Sequence, residues 1–324
     1  MKAARFYKAG EKLRIEDVET PKIGSGDVLI KVKACGICHT DRHFLDGELE
    51  YYLQFAKLPM ILGHEVAGDI AKVGKSVSKF KEGDRVLFYY GPTGAGFTAD
   101  GGFAEYVKAP ESCVVSLPKG ITHENGAPLT CAGGTAYHAV MRAGVKLGDA
   151  VVIDGFGGLG IYCLQIARLS GATKIIVVDV EQKKLGLAKE LGADHVINAK
   201  DRDVVKEVMK VSDGQGVDVV FEFVAVPKTM DNAMKSLKKD GKLMSIGVGK
   251  GVNFEVDPRY ILRNELSIIG CCGHTKEELV NLTKLVAAGK VTSTITQRFP
   301  LTKINEALDQ LKRGEILGRS VLSF

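Results

Sequence analysis

Residues 151–160, VVIDGFGGLG, run an apolar strand straight into a turn carrying Gly155, Gly157, Gly158 and Gly160. Few patterns restrict a fold so tightly. The G-x-G-x-x-G spacing suits a sharp turn, close approach of backbone to a phosphate, and a helix whose first N–H groups face that negative charge. A well-spaced acid completes it: Asp179 closes the apolar run KIIVVDV, where its carboxylate can accept hydrogen bonds from an adenosine ribose. The same carboxylate repels a 2′-phosphate, so NAD is expected over NADP, with Lys183 and Lys184 read as exposed residues of the next helix.

The rhythm of apolar residues divides the chain. Over residues 1–132, short alternating runs such as LIKVKA (29–34), AGDIAKVG (67–74) and FAEYVKAP (103–110) predict half-buried antiparallel strands. Glycine and proline punctuate them, as a small barrel-like β domain with ligand-bearing loops requires. After Gly134, the runs DAVVIDG, KIIVVDV, DHVIN, VDVVFEFV, GKLMSIG and LSIIGCC alternate with helical stretches such as EQKKLGLAKELGA. That alternation predicts a parallel sheet covered on both faces. Beyond Gly270, KEELVNLTKLVAAGK and KINEALDQLKRG predict helices, and RSVLSF a closing strand that returns to the first domain. The expected fold class is α/β: a β-rich domain over 1–132 completed by 271–324, and a doubly wound Rossmann domain over 133–270.

Composition narrows the partners. Lysine and arginine outnumber acids by 44 to 39, but the surplus is scattered, and one denser stretch, Lys235, Lys238, Lys239 and Lys242, is broken by Asp240 and Gly241 at an expected helix end. No nucleic-acid partner is expected. The opening residues lack the apolar core of a signal peptide, and no run approaches the ~20 apolar residues that span a bilayer, so the expectation is a cytoplasmic protein without a membrane partner. Seven cysteines without even spacing fit a reducing compartment and leave thiols for metal chemistry.

The segment ACGICHTDRH (34–43) sets Cys35 and Cys38 at C-x-x-C spacing. A zinc knuckle needs a second such pair, which is absent, and a redox motif belongs beside a βαβ unit. Cys35 falls on an alternating strand and reads as a small buried residue. Cys38, His64 in LGHEVAG and Cys131 in LTCAGGTAYHA are the candidate metal arms. Zinc held by two cysteines and one histidine keeps a fourth position open for a substrate oxygen.

Taken in order, GICHTDRH, LGHEVAG, GGFAEYV, LTCAGGTAYHA and GFGGLG resemble the zinc-containing alcohol dehydrogenases of the medium-chain dehydrogenase family over essentially the whole chain. The resemblance implies a GroES-like fold for the first domain and zinc on Cys38, His64 and Cys131. It implies Glu65 beside the metal as an occasional ligand, and Asp41 on the other ring nitrogen of His64. Thr40 and His43 resemble the family's proton relay; His39 and Arg319 match positions approaching the pyrophosphate, and Thr135 the nicotinamide. The implied activity is NAD-dependent interconversion of small alcohols with aldehydes or ketones by a homodimer or homotetramer. Polyol dehydrogenases of the same family, a zinc-free quinone or enone reductase, and a non-catalytic NAD- or metal-binding protein are the alternatives.

One departure is plain. Many of these enzymes carry a four-cysteine zinc lobe between the strands matching DRVLFYY and GGFAEYV, where this chain has only GPTGAGFTAD. Cys113 alone cannot replace four thiolates, so one catalytic zinc and no structural zinc is expected. The short loop itself is expected to be mobile, with Tyr89 and Tyr90 near the substrate cleft.

Overall fold

The computed structural model describes residues 1–249 and 253–324. The chain divides into two compact units, residues 1–134 with 274–324, and residues 135–273. The borders fall slightly later than the expected 132/133 and 270/271. The reason is local: the helix Ala132–Ala143 starts before the border, and Gly134 lies so close to His274 that a Cβ there would meet its ring at 2.5 Å.

In the first unit the strand Asp27–Gly36 is the organiser. Its burial alternates as its sequence does, and it pairs antiparallel with Glu65–Val73, with Tyr106–Pro110 and with Arg319–Ser323. Arg85–Phe88 and Val114–Ser116 extend the sheet on one side, and Ile295–Phe299 closes the other by pairing parallel to Arg319–Ser323. A small sheet of Arg14–Asp17, Lys2–Phe6 and Met60–Ile61 adjoins. Phe6, Phe44, Phe88 and Phe103 fill the core between them, each fully buried side chain contributing roughly 1.5–3 kcal/mol. The register sets Val321 and Glu65 on either side of Gly36. The returning tail thus lies one strand away from the strand that begins at Glu65, across Asp27–Gly36.

The second unit is a six-stranded parallel sheet ordered His195–Asn198, Lys174–Asp179, Ala150–Asp154, Val217–Glu222, Leu237–Ser245, Ser267–Gly270. Numbered by sequence this is 3-2-1-4-5-6, the doubly wound order whose direction reverses beside the first strand. Uninterrupted Val and Ile at 151–153 and 175–178 are buried because helices cover both faces.

The basic stretch differs from expectation. The helix ends at Ser236, and Lys238, Lys239 and Lys242 belong to the strand Leu237–Ser245, which turns at Asp240 with φ of 62°. Parallel pairing with Val217–Glu222 overrides the helical composition. Each charge is already engaged: Lys235 with Asp231, Lys238 with Asp218, Lys239 with Glu265, and Lys242 with the Ala143 carbonyl. Among the described residues no helix is long and apolar enough to cross a membrane.

Candidate functional site

Cys38 ends the turn after the strand Asp27–Gly36 and caps the helix His39–Leu45. His64 immediately precedes the strand Glu65–Val73, and Cys131 follows a 3-10 turn over Ala127–Thr130. The fold brings these three and Glu65 together, with one ligand atom from each lying within 4.8 Å of the others, all buried. It is the only such group among the described residues. Asp41 braces the backbone of two of these segments: Oδ2 accepts from the Cys38 N–H at 3.0 Å and Oδ1 from the Gly63 N–H at 3.2 Å. Thr130 Oγ1 donates to the Ala127 carbonyl at 2.9 Å, tying down the turn before Cys131.

The electrostatics are those of a cation-binding site. A hydrogen bond from Cys131 holds the Cys38 thiol well below its ordinary pKa, against burial and with help from His64. Cys131 is driven well above, first by the same hydrogen bond and then by burial. Burial lowers the His64 pKa, but the Asp41 carboxylate and Cys38 overcome it and leave the ring at about 10. Burial lifts Glu65 to about 7 although Arg319 opposes it. Neither ring nitrogen of His64 has a hydrogen-bond partner, and Nδ1 lies 3.5 Å from Asp41 Oδ1 outside hydrogen-bond geometry. Glu65 Oε1 is equally unpartnered. Orphaned buried donors and acceptors beside two thiols fit a thiophilic divalent ion such as zinc.

Glu65 is 0% and Arg319 4% exposed, and Arg319 Nη2 donates to Glu65 Oε2. Arg319, expected at a pyrophosphate, is thus engaged with the carboxylate beside the metal arms. Gly36 makes room for this pair: a Cβ there would meet Glu65 Oε2 at 1.8 Å. Thr40 Oγ1 lies 3.5 Å from Cys38 Sγ. His43 Nδ1 contacts Glu48, and His39 is exposed on the same helix, its ring centroid 6.4 Å from that of His43. Cys35 is buried, with its thiol pKa pushed far up by that burial.

The loop GPTGAGFTAD is not loose. Phe97 stacks on Tyr90 with centroids 5.2 Å apart, and its ring centroid lies 4.7 Å from that of His64. Sequence reading missed Phe97 because one aromatic in a glycine-rich stretch carries no period. The isolated glycine at the end of an alternating strand, Gly36, did carry a signal of close approach.

In the second unit the glycines divide their work. Gly155 has φ of 94°, open to glycine at little cost, and makes the turn. Gly160 packs on it, since a Cβ there would lie 2.5 Å from the Gly155 carbonyl oxygen. A Cβ on Gly157 would meet nothing within 4 Å. No contact within the protein demands glycine at 157, whereas a ligand pressed to the backbone would. Gly158 begins the helix Gly158–Leu169, which has no side-chain cap on its first N–H groups. Asp179 Oδ2 accepts from the Phe156 N–H at 2.8 Å and Oδ1 from the Glu181 N–H at 2.9 Å, and Lys184 lies 3.9 Å away. Thr135 is buried in the helix Ala132–Ala143.

Residues 24–119 match the family profile of the alcohol dehydrogenase GroES-like domain, and residues 158–288 that of zinc-binding dehydrogenase. An alcohol dehydrogenase of Geobacillus stearothermophilus is 36% identical, covering 99% of each chain. The chain belongs to the zinc-binding alcohol dehydrogenase family. Another member, the NAD-dependent alcohol dehydrogenase of Sulfurisphaera tokodaii, is 35% identical over 99% of each chain. The crystal structure of the alcohol dehydrogenase from Aeropyrum pernix superposes with a TM-score of 0.93 at 36% identity, covering all of both chains.

Proposed function

We propose that this protein is an NAD-dependent alcohol dehydrogenase, oxidising primary or secondary alcohols reversibly to aldehydes or ketones, with one zinc ion per chain. The observation that carries this reading is the buried cluster of Cys38, His64, Glu65 and Cys131 in a chain whose other unit bears the glycine turn. A zinc-free reductase gives those four residues no shared purpose.

Bound zinc supplies Lewis acidity to an alcohol hydroxyl, and bound NAD supplies the hydride acceptor. Cys38, His64 and Cys131 would hold the metal, while Arg319 retains Glu65. Thr40, whose hydroxyl lies beside Cys38, would receive the alcohol proton, and His43 would pass it to solvent. Because Glu48 holds Nδ1 of His43, exchange belongs to Nε2. The Gly155–Gly160 turn and the helix start at Gly158 would cradle the pyrophosphate, and Asp179 would accept from the ribose. His39 and Arg319 are assigned to the pyrophosphate and Thr135 to the nicotinamide. The protein is assigned to the cytoplasm as a homodimer or homotetramer, which light scattering on the purified protein checks.

Metal analysis after dialysis and NADH absorbance with simple alcohols, sorbitol and threonine test the reading. One zinc per chain and NAD-linked turnover of simple alcohols are expected. Turnover of polyols alone replaces the substrate class. Less than about half an equivalent of tightly bound zinc, with NADPH-linked enone reduction, overturns the mechanism.

A further inference from the structure

The helix His39–Leu45 carries both members of the assigned relay, Thr40 and His43, and begins at the metal arm Cys38. It has seven residues, about two turns, and isolated helices shorter than ~12–15 residues are marginal in water. Its place and its rotation must come from what it packs on. Asp41, Phe44 and Leu45 are buried on its inner side, and the Leu45 carbonyl accepts from the Gly10 N–H at 2.7 Å.

Arg42 supplies a second hold. Two residues after Thr40, it leaves the helix roughly 160° away from that hydroxyl, so it reaches the relay only through the helix itself. Its guanidinium forks onto Asp46, Nε to Oδ2 at 2.9 Å and Nη2 to Oδ1 at 2.5 Å, while Nη1 donates to Asp309 Oδ1 at 3.1 Å, 267 positions later in the chain. Lys312 Nζ donates to Asp46 Oδ1 at 2.9 Å and completes a set of two cations and two anions. The Arg42 and Asp46 side chains are only 17% and 20% exposed, and Arg42 first, then Lys312, hold the Asp46 carboxyl down at about 2 against burial. Asp309 and Lys312 belong to the helix Ile304–Lys312, which is firmly anchored: Ile304, Ala307, Leu308 and Leu311 are buried, and the Asn305 amide both accepts from and donates to the Leu13 backbone at 2.9 Å. A planar guanidinium bonded on two sides cannot turn without parting from one partner.

We propose that Arg42 is a positioning residue for the proton relay: held between Asp46 and Asp309, it sets the rotation of the short helix and so the places of the Thr40 hydroxyl and the His43 ring. It moves no proton itself. The inference rests on the relay reading given under the proposed function. Without the guanidinium the helix keeps its buried side but loses its tie to Ile304–Lys312, and the two relay groups drift out of line.

The test uses the full chain, loaded with zinc, as Arg42→Met, which keeps the stem without the charge, Arg42→Lys, which keeps the charge without the fork, and Asp309→Asn, with His43→Gln as reference. Single-turnover NADH formation from an alcohol is followed across pH and with rising tertiary-amine buffer, zinc content and thermal melting are measured, and the His43 ring proton is assigned by NMR from its absence in His43→Gln. Arg42→Met is expected to lose about 10-fold in rate near neutral pH, within what a misplaced group costs. The loss should shrink towards alkaline pH, where hydroxide takes the proton directly, and recover in part with buffer; zinc content stays at the parent's level and the His43 signal shifts or broadens. Arg42→Lys and Asp309→Asn should show the same pattern at several-fold, and they serve alone if Arg42→Met does not fold. Folded variants that melt lower yet keep the parent's pH profile and His43 signal overturn the proposal and leave Arg42 a structural ion pair. A loss equal at every pH and unmoved by buffer overturns it too. A His43→Gln variant with the parent's profile overturns the relay itself, and this proposal with it, whereas a parent that binds no zinc and oxidises no alcohol overturns the proposed function.

Discussion

Asp154 ends an apolar strand with a carboxyl group that the register sets directly opposite Glu222. The two are 4% and 0% exposed, and like charges so placed repel. Glu222 Oε1 is occupied by the Val224 and Ala225 N–H groups and the Thr229 hydroxyl, while Oε2 has no partner. Burial, then Glu222 and Asp179, push Asp154 from its ordinary 3.8 up to about 8. The sign follows from linkage: between these values the folded state keeps a proton that the unfolded chain releases. Its contribution to stability is whole below about pH 4 and is lost as pH rises through about 8. Urea unfolding across that window should show Asp154→Asn, which is neutral throughout, falling less steeply than the parent; parallel curves would sink this assignment. The sequence marked neither acid, because their meeting depends on which strands are neighbours. The same is true of Glu65 and Arg319, separated by 254 positions and joined only through Gly36.

At the level of elements, the strand–turn–helix of residues 150–169 was readable because strand, turn and helix follow one another without a break. Alternation likewise announced the strand Asp27–Gly36, whose burial follows the same period. The loop at 91–100 was not readable, since its order comes from contacts with residues 61–64 and 90 and its composition alone suggests mobility. The glycines yield a paired prediction. Gly160→Ala should destabilise the metal- and cofactor-free protein by roughly 1–3 kcal/mol, because its Cβ meets backbone. Gly157→Ala should leave that melting curve close to the parent's but weaken NAD about tenfold or more, a loss of roughly 1.4 kcal/mol. Equal effects of the two on melting and on cofactor titration would contradict the division of labour described above.

For the whole molecule, the metal arms and the glycine turn belong to different compact units. Chelation should therefore act on one of them first. A zinc ion that binds only the folded form adds about 2.7 kcal/mol when present at a hundredfold over its dissociation constant. Removing it is expected to lower the melting of the first unit while NAD binding, followed by quenching of NADH fluorescence on displacement, survives. Simultaneous loss of both would show the units to be inseparable in stability.

The first unit is assembled from two stretches of chain with the entire second unit between them. During synthesis at roughly 5–20 residues per second, the 254 positions from Glu65 to Arg319 take on the order of tens of seconds to make. Throughout that interval the nascent Glu65 waits without its guanidinium, whereas the residues of the second unit, 135–273, follow one another without a break. Translation speed across the middle of the message therefore sets how long a half-built metal pocket stands open to the ions and thiols of its surroundings.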